Sequence, residues 1–114
     1  MQKVVLQCAT PQEFAALQNA FDFRESQKDG YRKFSQKDQL VVLCGGVGKA
    51  RAAASAQWAI AKWKPDSVID FGAAGALVED LVVGDIIVAD KITDHAHEIT
   101  LIESAFEMHL PDLW

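Results

Sequence analysis

One carboxylate in this 114-residue chain stands where it could act on a bound ligand. Glu13 closes the segment Thr10-Pro11-Gln12-Glu13, directly after a short apolar run at residues 3–9. A carboxylate can accept a proton from an attacking water and can stabilise a positive charge that develops beside it. The same spacing predicts a capping box, in which Thr10 and Glu13 cap the first turn of a helix. The sequence leaves both roles open.

Two glycine-rich turns follow apolar runs further along the chain. Gly45-Gly46-Val47-Gly48-Lys49 follows residues 39–44, and Gly72-Ala73-Ala74-Gly75 follows residues 67–71. Glycine lets the backbone approach a ligand closely, and open α/β sheets bind ligands outside the carboxyl ends of their strands. The turns therefore predict a small-molecule site, although the second could also be a simple strand-to-loop turn.

The first glycine turn matches neither of two common nucleotide-binding motifs. Ala50 stands where a P-loop has its Mg²⁺-binding Ser or Thr, and the third glycine of a dinucleotide fingerprint is missing after Gly46 and Gly48. Lys49 and Arg51 follow in the first turn of the next predicted helix, where positive charge opposes the helix dipole. That placement indicates either a nearby anion or solvated charges.

The order of apolar runs predicts an α/β fold with a mixed, mostly parallel sheet and flanking helices, in one domain spanning residues 1–114. The pattern is β-α-β-β-β-α-β-β. We expect strands at residues 3–9, 39–44, 67–71 and 85–89, helices after Thr10 and at 49–64, and a hairpin turn at Gln27-Lys28-Asp29-Gly30.

Composition excludes several classes of function. A net charge of −5 argues against a nucleic-acid surface, and no apolar run is long enough to cross a membrane. Cys8 and Cys44 in a chain that starts without a signal-peptide pattern indicate buried thiols and a cytoplasmic protein. His95, His97 and Glu98 lack a further ligand at a convincing spacing, so we expect no metal site.

Four segments together carry a family resemblance: Gly45-Gly46-Val47-Gly48-Lys49, Lys64-Pro65-Asp66-Ser67-Val68-Ile69, Gly72-Ala73-Ala74-Gly75-Ala76-Leu77 and Val83-Gly84-Asp85-Ile86-Ile87-Val88-Ala89-Asp90. In this order and at this spacing they resemble the amino-terminal half of the nucleoside phosphorylase/nucleosidase superfamily, and in particular its methylthioadenosine/S-adenosylhomocysteine nucleosidase branch. The similarity runs from about Val4 to Pro111.

The resemblance implies a set of site residues. Glu13 would hold and activate the water that attacks the anomeric carbon of a nucleoside. The other implied substrate-binding residues are Ala9, Ala73, Ala74 and Gly75 around the purine and ribose, and Phe106, Met108 and Pro111 over the 5′ substituent in a neighbouring subunit. The resemblance thus implies a nucleoside substrate, no metal or cofactor, and a homodimer or higher homo-oligomer.

Two positions depart from the patterns of the family. Ala73 stands where methylthioadenosine hydrolases usually have a serine, which leaves the identity of the nucleoside open. Asp70 stands where many phosphorylases carry a phosphate-binding arginine, and its negative charge would repel phosphate. Asp70 therefore favours water as the nucleophile, although it could also be a carboxylate paired with a lysine or arginine.

The family places a second glutamate and an aspartate, which bind ribose and protonate the purine, in a further half. We therefore expect these 114 residues alone to be inactive and to associate, with Trp58, Trp63 and Trp114 as candidate contacts. The leading hypothesis is a purine nucleosidase that hydrolyses the N-glycosidic bond of a 5′-modified adenosine. The alternatives are a futalosine hydrolase and a non-catalytic nucleoside-binding or dimerising half-domain.

Overall fold

A computed structural model describes residues 2–94 of the chain. Its elements are β1 (Val4–Cys8), α1 (Pro11–Ala20), β2 (Gln27–Asp29), β3 (Arg32–Lys37), β4 (Leu40–Cys44), α2 (Lys49–Trp63) and β5 (Ser67–Asp70). The chain divides into two compact units, Met1–Ala73 and Ala74–Trp114, and all seven elements belong to the first. The α/β class that the sequence predicts is confirmed.

The strands form one mixed sheet in the order β2-β3-β4-β1-β5. Strands β4, β1 and β5 run parallel, whereas β2, β3 and β4 pair antiparallel as a meander at one side. In register, Cys8 lies opposite Cys44, and Gln7 lies opposite Asp70. The three parallel strands therefore end together, and we call this side of the sheet the carboxyl edge.

A helix covers each face of the sheet. Phe14 and Leu17 of α1 pack with Cys8, Val42 and Cys44 on one face. Ala59 of α2 packs with Val5, Phe34, Val41 and Leu43 on the other. Burying a large apolar side chain stabilises a fold by roughly 1.5–3 kcal/mol, so these two clusters hold the carboxyl edge in place. Within residues 2–94, neither helix has the length and apolarity needed to cross a membrane.

The local structure around two predicted elements differs in detail. Gln27–Asp29 is itself strand β2, and the turn falls on Gly30 and Tyr31, because Gly30 supplies the positive φ of 62° that the reversal needs. In α2 the inward positions belong to Ser55 and Ala59, which are fully buried, whereas Ile60 is 44% exposed.

The prediction of a strand at residues 85–89 is wrong, because the structure describes these residues and shows no strand there. These residues have no strand assignment, and Ile86 and Val88 are largely exposed. A strand needs a hydrogen-bonded neighbour as well as an apolar sequence. Within the described part of the second unit, isolated bridges occur only at Lys91 and Thr93.

Two of the three tryptophans expected at a partner surface also contact the molecule's own core. Trp58 and Trp63 are partly buried against the cluster around Phe34. The Phe34 ring centroid lies 5.6 Å from that of Trp58 and 5.1 Å from that of Trp63. These tilted contacts are favourable aromatic geometries, which explains why the rings turn inward. Trp114 lies outside the described residues.

Candidate active site

The first turn of α1 fixes the Glu13 carboxylate at the carboxyl edge. Thr10 is the N-cap, and its Oγ1 accepts a hydrogen bond of 3.2 Å from the Glu13 backbone N–H. Glu13 Oε1 in turn accepts from the backbone N–H groups of Ala9, at 3.0 Å, and Thr10, at 3.1 Å. The predicted capping box is therefore confirmed, with Pro11 at the first helical position.

The second carboxylate oxygen of Glu13 reaches the turn after β5. Glu13 Oε2 accepts a hydrogen bond of 3.0 Å from the backbone N–H of Ala73. Gly72 precedes Ala73 and lies next to this contact, since a Cβ placed on Gly72 would stand 3.0 Å from Glu13 Oε2. Glycine therefore leaves the space in which the carboxylate lies, and one carboxylate joins the segments that follow β1 and β5.

The environment keeps Glu13 ionised. Burial alone would raise the pKa of Glu13. Hydrogen bonds to its carboxylate from the backbone of Ala73, Ala9 and Thr10, and a further one with the Thr10 side chain, outweigh burial and lower the pKa. Partial burial, and then the negative charge of Glu13, raise the pKa of Asp70. Among residues 2–94 Asp70 forms no ion pair, so the paired-carboxylate alternative finds no support there.

Two thiols support the turn that carries Glu13. Cys44 Sγ lies 3.7 Å from the Ala9 carbonyl oxygen, and Cys8 Sγ lies 3.9 Å from that of Thr10. Burial raises the pKa of Cys8 to about 12, with Cys44 and Glu13 adding to the rise. Both cysteines are free and buried, and their thiols support the turn.

The structure brings together three of the residues named from the sequence: Ala9, Glu13 and Ala73. Ala74 and Gly75 begin the second unit, where both are exposed. Phe106, Met108 and Pro111 lie outside the described residues, as do His95, His97 and Glu98.

A depression of about 350 Å³ lies away from this site. Gln36, Lys37 and residues 22–25 line it, and Lys37 pairs with Leu40 at the start of β4. That position is at the amino ends of the parallel strands. Since α/β sheets bind ligands at the opposite ends, we assign the site to the turns around Glu13.

Sequence reasoning missed two polar residues that shape the carboxyl edge. Ser55 is fully buried and donates a hydrogen bond of 2.7 Å to the Gly45 carbonyl oxygen. Gln7 is 4% exposed and donates to the Ala52 carbonyl oxygen at 2.9 Å. A polar residue inside an apolar strand, as Gln7 is, was the available signal for this contact.

Comparison with known proteins places this α/β fold in a family. The model of the phosphorylase superfamily matches residues 3–112, and the chain belongs to that superfamily. A curated 5′-methylthioadenosine/S-adenosylhomocysteine nucleosidase of Staphylococcus aureus (strain JH9) is 45% identical over 65 residues, which cover 56% of this chain and 28% of the relative.

Solved structures agree with this assignment. The 5′-methylthioadenosine/S-adenosylhomocysteine nucleosidase of Neisseria meningitidis, in complex with methylthio-immucillin-A, matches with a TM-score of 0.75 and 25% identity, over 98% of this chain and 50% of that one. The futalosine hydrolase of Helicobacter pylori matches in fold, with a TM-score of 0.72 and 24% identity, over 83% of this chain and 43% of that one. The chain thus spans half or less of the length of these proteins, and it belongs to a family that includes N-glycosidic hydrolases.

Proposed function

We propose that this chain is the amino-terminal part of a purine nucleosidase that hydrolyses the N-glycosidic bond of a 5′-modified adenosine, in the cytoplasm and as a homodimer or higher homo-oligomer. The observation that carries the proposal is the Glu13 carboxylate, which backbone N–H groups hold ionised at the carboxyl edge. The similarity to nucleosidases along much of the chain supports the same reaction.

The hydrogen-bond pattern of Glu13 leaves room for a water. Oε1 accepts from two backbone donors, whereas Oε2 accepts from Ala73 alone. A carboxylate oxygen has two lone pairs, so Oε2 can accept a further hydrogen bond from a water. That water would lie beside both the turn after β1 and the turn after β5.

In the proposed mechanism Glu13 performs two tasks. It orients the water and accepts its proton as the water attacks the anomeric carbon of the sugar. Its negative charge also stabilises the oxocarbenium-like cation that forms as the bond to the base breaks. The departing purine must gain a proton from another group, which the family resemblance assigns to a segment beyond this chain.

Water rather than phosphate is the proposed nucleophile. Asp70 and Glu13 are close enough for the charge of one to raise the pKa of the other. Among the described residues no cation pairs with either carboxylate. A dianion beside Glu13 would therefore meet two negative charges.

The identity of the nucleoside remains a choice between two substrates. Ala73 offers only its backbone N–H to Glu13 and has no hydroxyl to hold the sugar. This departure from the methylthioadenosine pattern is why futalosine stays the alternative substrate. A non-catalytic nucleoside-binding half-domain is the alternative from a different class.

Base release distinguishes these proposals. The protein at its full natural length, in phosphate-free buffer, is expected to release adenine from methylthioadenosine or hypoxanthine from futalosine. Faster turnover of one nucleoside identifies the substrate. A rate that rises from zero in proportion to added phosphate contradicts hydrolysis, and binding without any base release supports the non-catalytic alternative.

A further inference from the structure

A second polar cluster at the carboxyl edge takes no part in the chemistry proposed for Glu13. It lies where β3 begins, since Lys33 pairs with Cys44 at the end of β4. Its centre is the Tyr31 ring, which is 42% exposed. The Arg32 Cζ lies 4.6 Å from the ring centroid and the Arg51 Cζ lies 4.8 Å from it. We call Arg32 and Arg51 the arginine pair.

Two hydrogen bonds hold Arg32 in place. Its Nε donates a hydrogen bond of 3.0 Å to Ser55 Oγ, and one terminal nitrogen donates at 3.1 Å to the Tyr31 hydroxyl. Ser55 is fully buried and is itself anchored on the Gly45 carbonyl oxygen. The remaining donors of the Arg32 guanidinium are therefore pre-oriented, which is the condition for binding a planar anion well.

The glycine turn makes room for Arg51. A Cβ on Gly46 would lie 2.8 Å from Arg51 Cδ and 3.2 Å from Tyr31 Cδ2. Gly46 also has a φ of +98°, which side-chain-bearing residues rarely adopt. The turn thus provides a bare backbone on which the arginine and the tyrosine pack.

The arginine pair has no acidic partner among residues 2–94. Asp29 stands opposite Arg32 in the pairing of β2 with β3, yet the ion pair found in this part of the chain joins Arg24 to Asp22. Two guanidinium groups that face one ring repel each other, and an anion placed beside both would relieve that repulsion. The free donors of the arginine pair can therefore receive an anionic group of a ligand.

We propose that the arginine pair binds a carboxylate at the end of the 5′ substituent of the nucleoside, an inference that rests on the proposed function. Strand β3 lies two strands from β1, a separation of about 10 Å along the carboxyl edge. A nucleoside whose sugar lies at Glu13 could reach the pair only through an extended substituent. The site would thus select nucleosides with a carboxylate-bearing 5′ chain over those with a short neutral one.

A matched pair of ligands tests this selection. The ligands are 5′-deoxy-5′-(3-carboxypropylthio)adenosine and its methyl ester, which differ in charge but share their sugar and base. Binding is measured by titration calorimetry on the full-length protein carrying Glu13→Gln, so that no ligand is consumed. We expect the acid to bind about three- to tenfold more tightly than the ester, and the advantage to shrink as salt rises.

Variants assign the advantage to the arginine pair. Arg51→Ala should remove most of the preference for the acid while leaving the affinity for the ester unchanged, and Arg51→Lys should keep part of it. Lys37→Ala removes the same charge at the opposite edge and should change neither affinity. Equal binding of acid and ester, or an unchanged preference in Arg51→Ala, overturns the inference. Neither result contradicts the proposed hydrolase function. If neither ligand binds and the wild-type protein releases no base, the proposed function fails and the inference fails with it.

Discussion

Glu13 and Ala73 are 60 positions apart in sequence, yet a hydrogen bond of 3.0 Å joins the Glu13 carboxylate to the Ala73 backbone N–H. The same carboxylate caps α1 through its other oxygen. Capping and ligand chemistry are therefore not competing roles for this residue. The cap holds Oε1, and Oε2 faces the turn after β5, where the proposed water would lie.

Removing the negative charge of Glu13 should cost stability in a way that depends on pH. The pKa of Glu13 in the folded protein lies below its ordinary value of 4.5. Its stabilising contribution is thus complete above that value and is lost as the pH falls through the folded pKa. Glu13→Gln should lower the free energy of unfolding by about 1 kcal/mol at neutral pH, and by less in acid.

Urea unfolding of both proteins between about pH 7 and pH 3 measures this difference. Thr10→Ala serves as the control, because it removes the hydroxyl half of the capping box and leaves the carboxylate in place. It should cost about 1 kcal/mol with a weaker dependence on pH, because only one of the contacts that lower the pKa of Glu13 is lost. A gap between wild type and Glu13→Gln that stays constant with pH contradicts the assigned pKa direction.

Gly72→Ala should damage the site more than the fold. The new Cβ would stand 3.0 Å from Glu13 Oε2, so the carboxylate must shift by a few tenths of an ångström, which disturbs its hydrogen bond to the Ala73 N–H. We expect base release by the full-length protein to fall about tenfold or more, with a loss of stability near 1 kcal/mol. A double-mutant cycle tests whether Gly72→Ala acts through Glu13. In a Glu13→Ala background, Gly72→Ala should cost little further activity. Full additivity would show that Gly72 acts independently of Glu13.

Asp70→Asn should stabilise the protein slightly at neutral pH. Partial burial and the Glu13 charge raise the pKa of Asp70, so its ionised form is less favourable in the folded state than in the unfolded chain. This penalty is absent below the unfolded pKa and develops as the pH rises through the folded pKa. Asp70 keeps much of its surface in contact with solvent, which screens its charge, so the gain should be below about 1 kcal/mol. A lower urea midpoint for Asp70→Asn at neutral pH would show that this carboxylate is stabilising.

The sequence predicted the local part of the site well. Thr10, Pro11 and Glu13 form a capping box through contacts within one helical turn, and such contacts follow from residue type and spacing alone. The apolar runs likewise located β1, β4 and β5 to within a residue or so, because buried parallel strands need continuous apolar sequence.

Contacts between distant segments were beyond sequence reasoning. The hydrogen bond from Ala73 to Glu13 depends on the register of β1 against β5, which no local pattern encodes. Ser55 is a polar residue on the inward face of a helix, and only the Gly45 carbonyl explains its burial. The apolar run at residues 85–89 is suited to a strand, but a strand also needs a neighbour that pairs with it. The sequence of the run does not show whether such a neighbour is present.

The Cys8 thiol should resist modification in the native protein. Its pKa is about 12, and its side chain is almost fully buried, so almost no thiolate is present at neutral pH. Iodoacetamide at about pH 8, followed by peptide mass spectrometry, should leave Cys8 unlabelled until urea unfolds the chain. Rapid labelling of Cys8 in the folded state would contradict its role as a buried support of the Ala9–Thr10 turn.

The most direct test of the central claim is base release by the full-length protein carrying Glu13→Gln, with methylthioadenosine and futalosine as substrates. Glu25→Gln makes the same chemical change on an exposed carboxylate away from the site and serves as the control. We predict that Glu13→Gln lowers the rate at least about 10²-fold while the protein stays folded, and that Glu25→Gln retains the wild-type rate. A Glu13→Gln protein that releases base as fast as wild type would contradict the assignment of Glu13 as the residue that activates water.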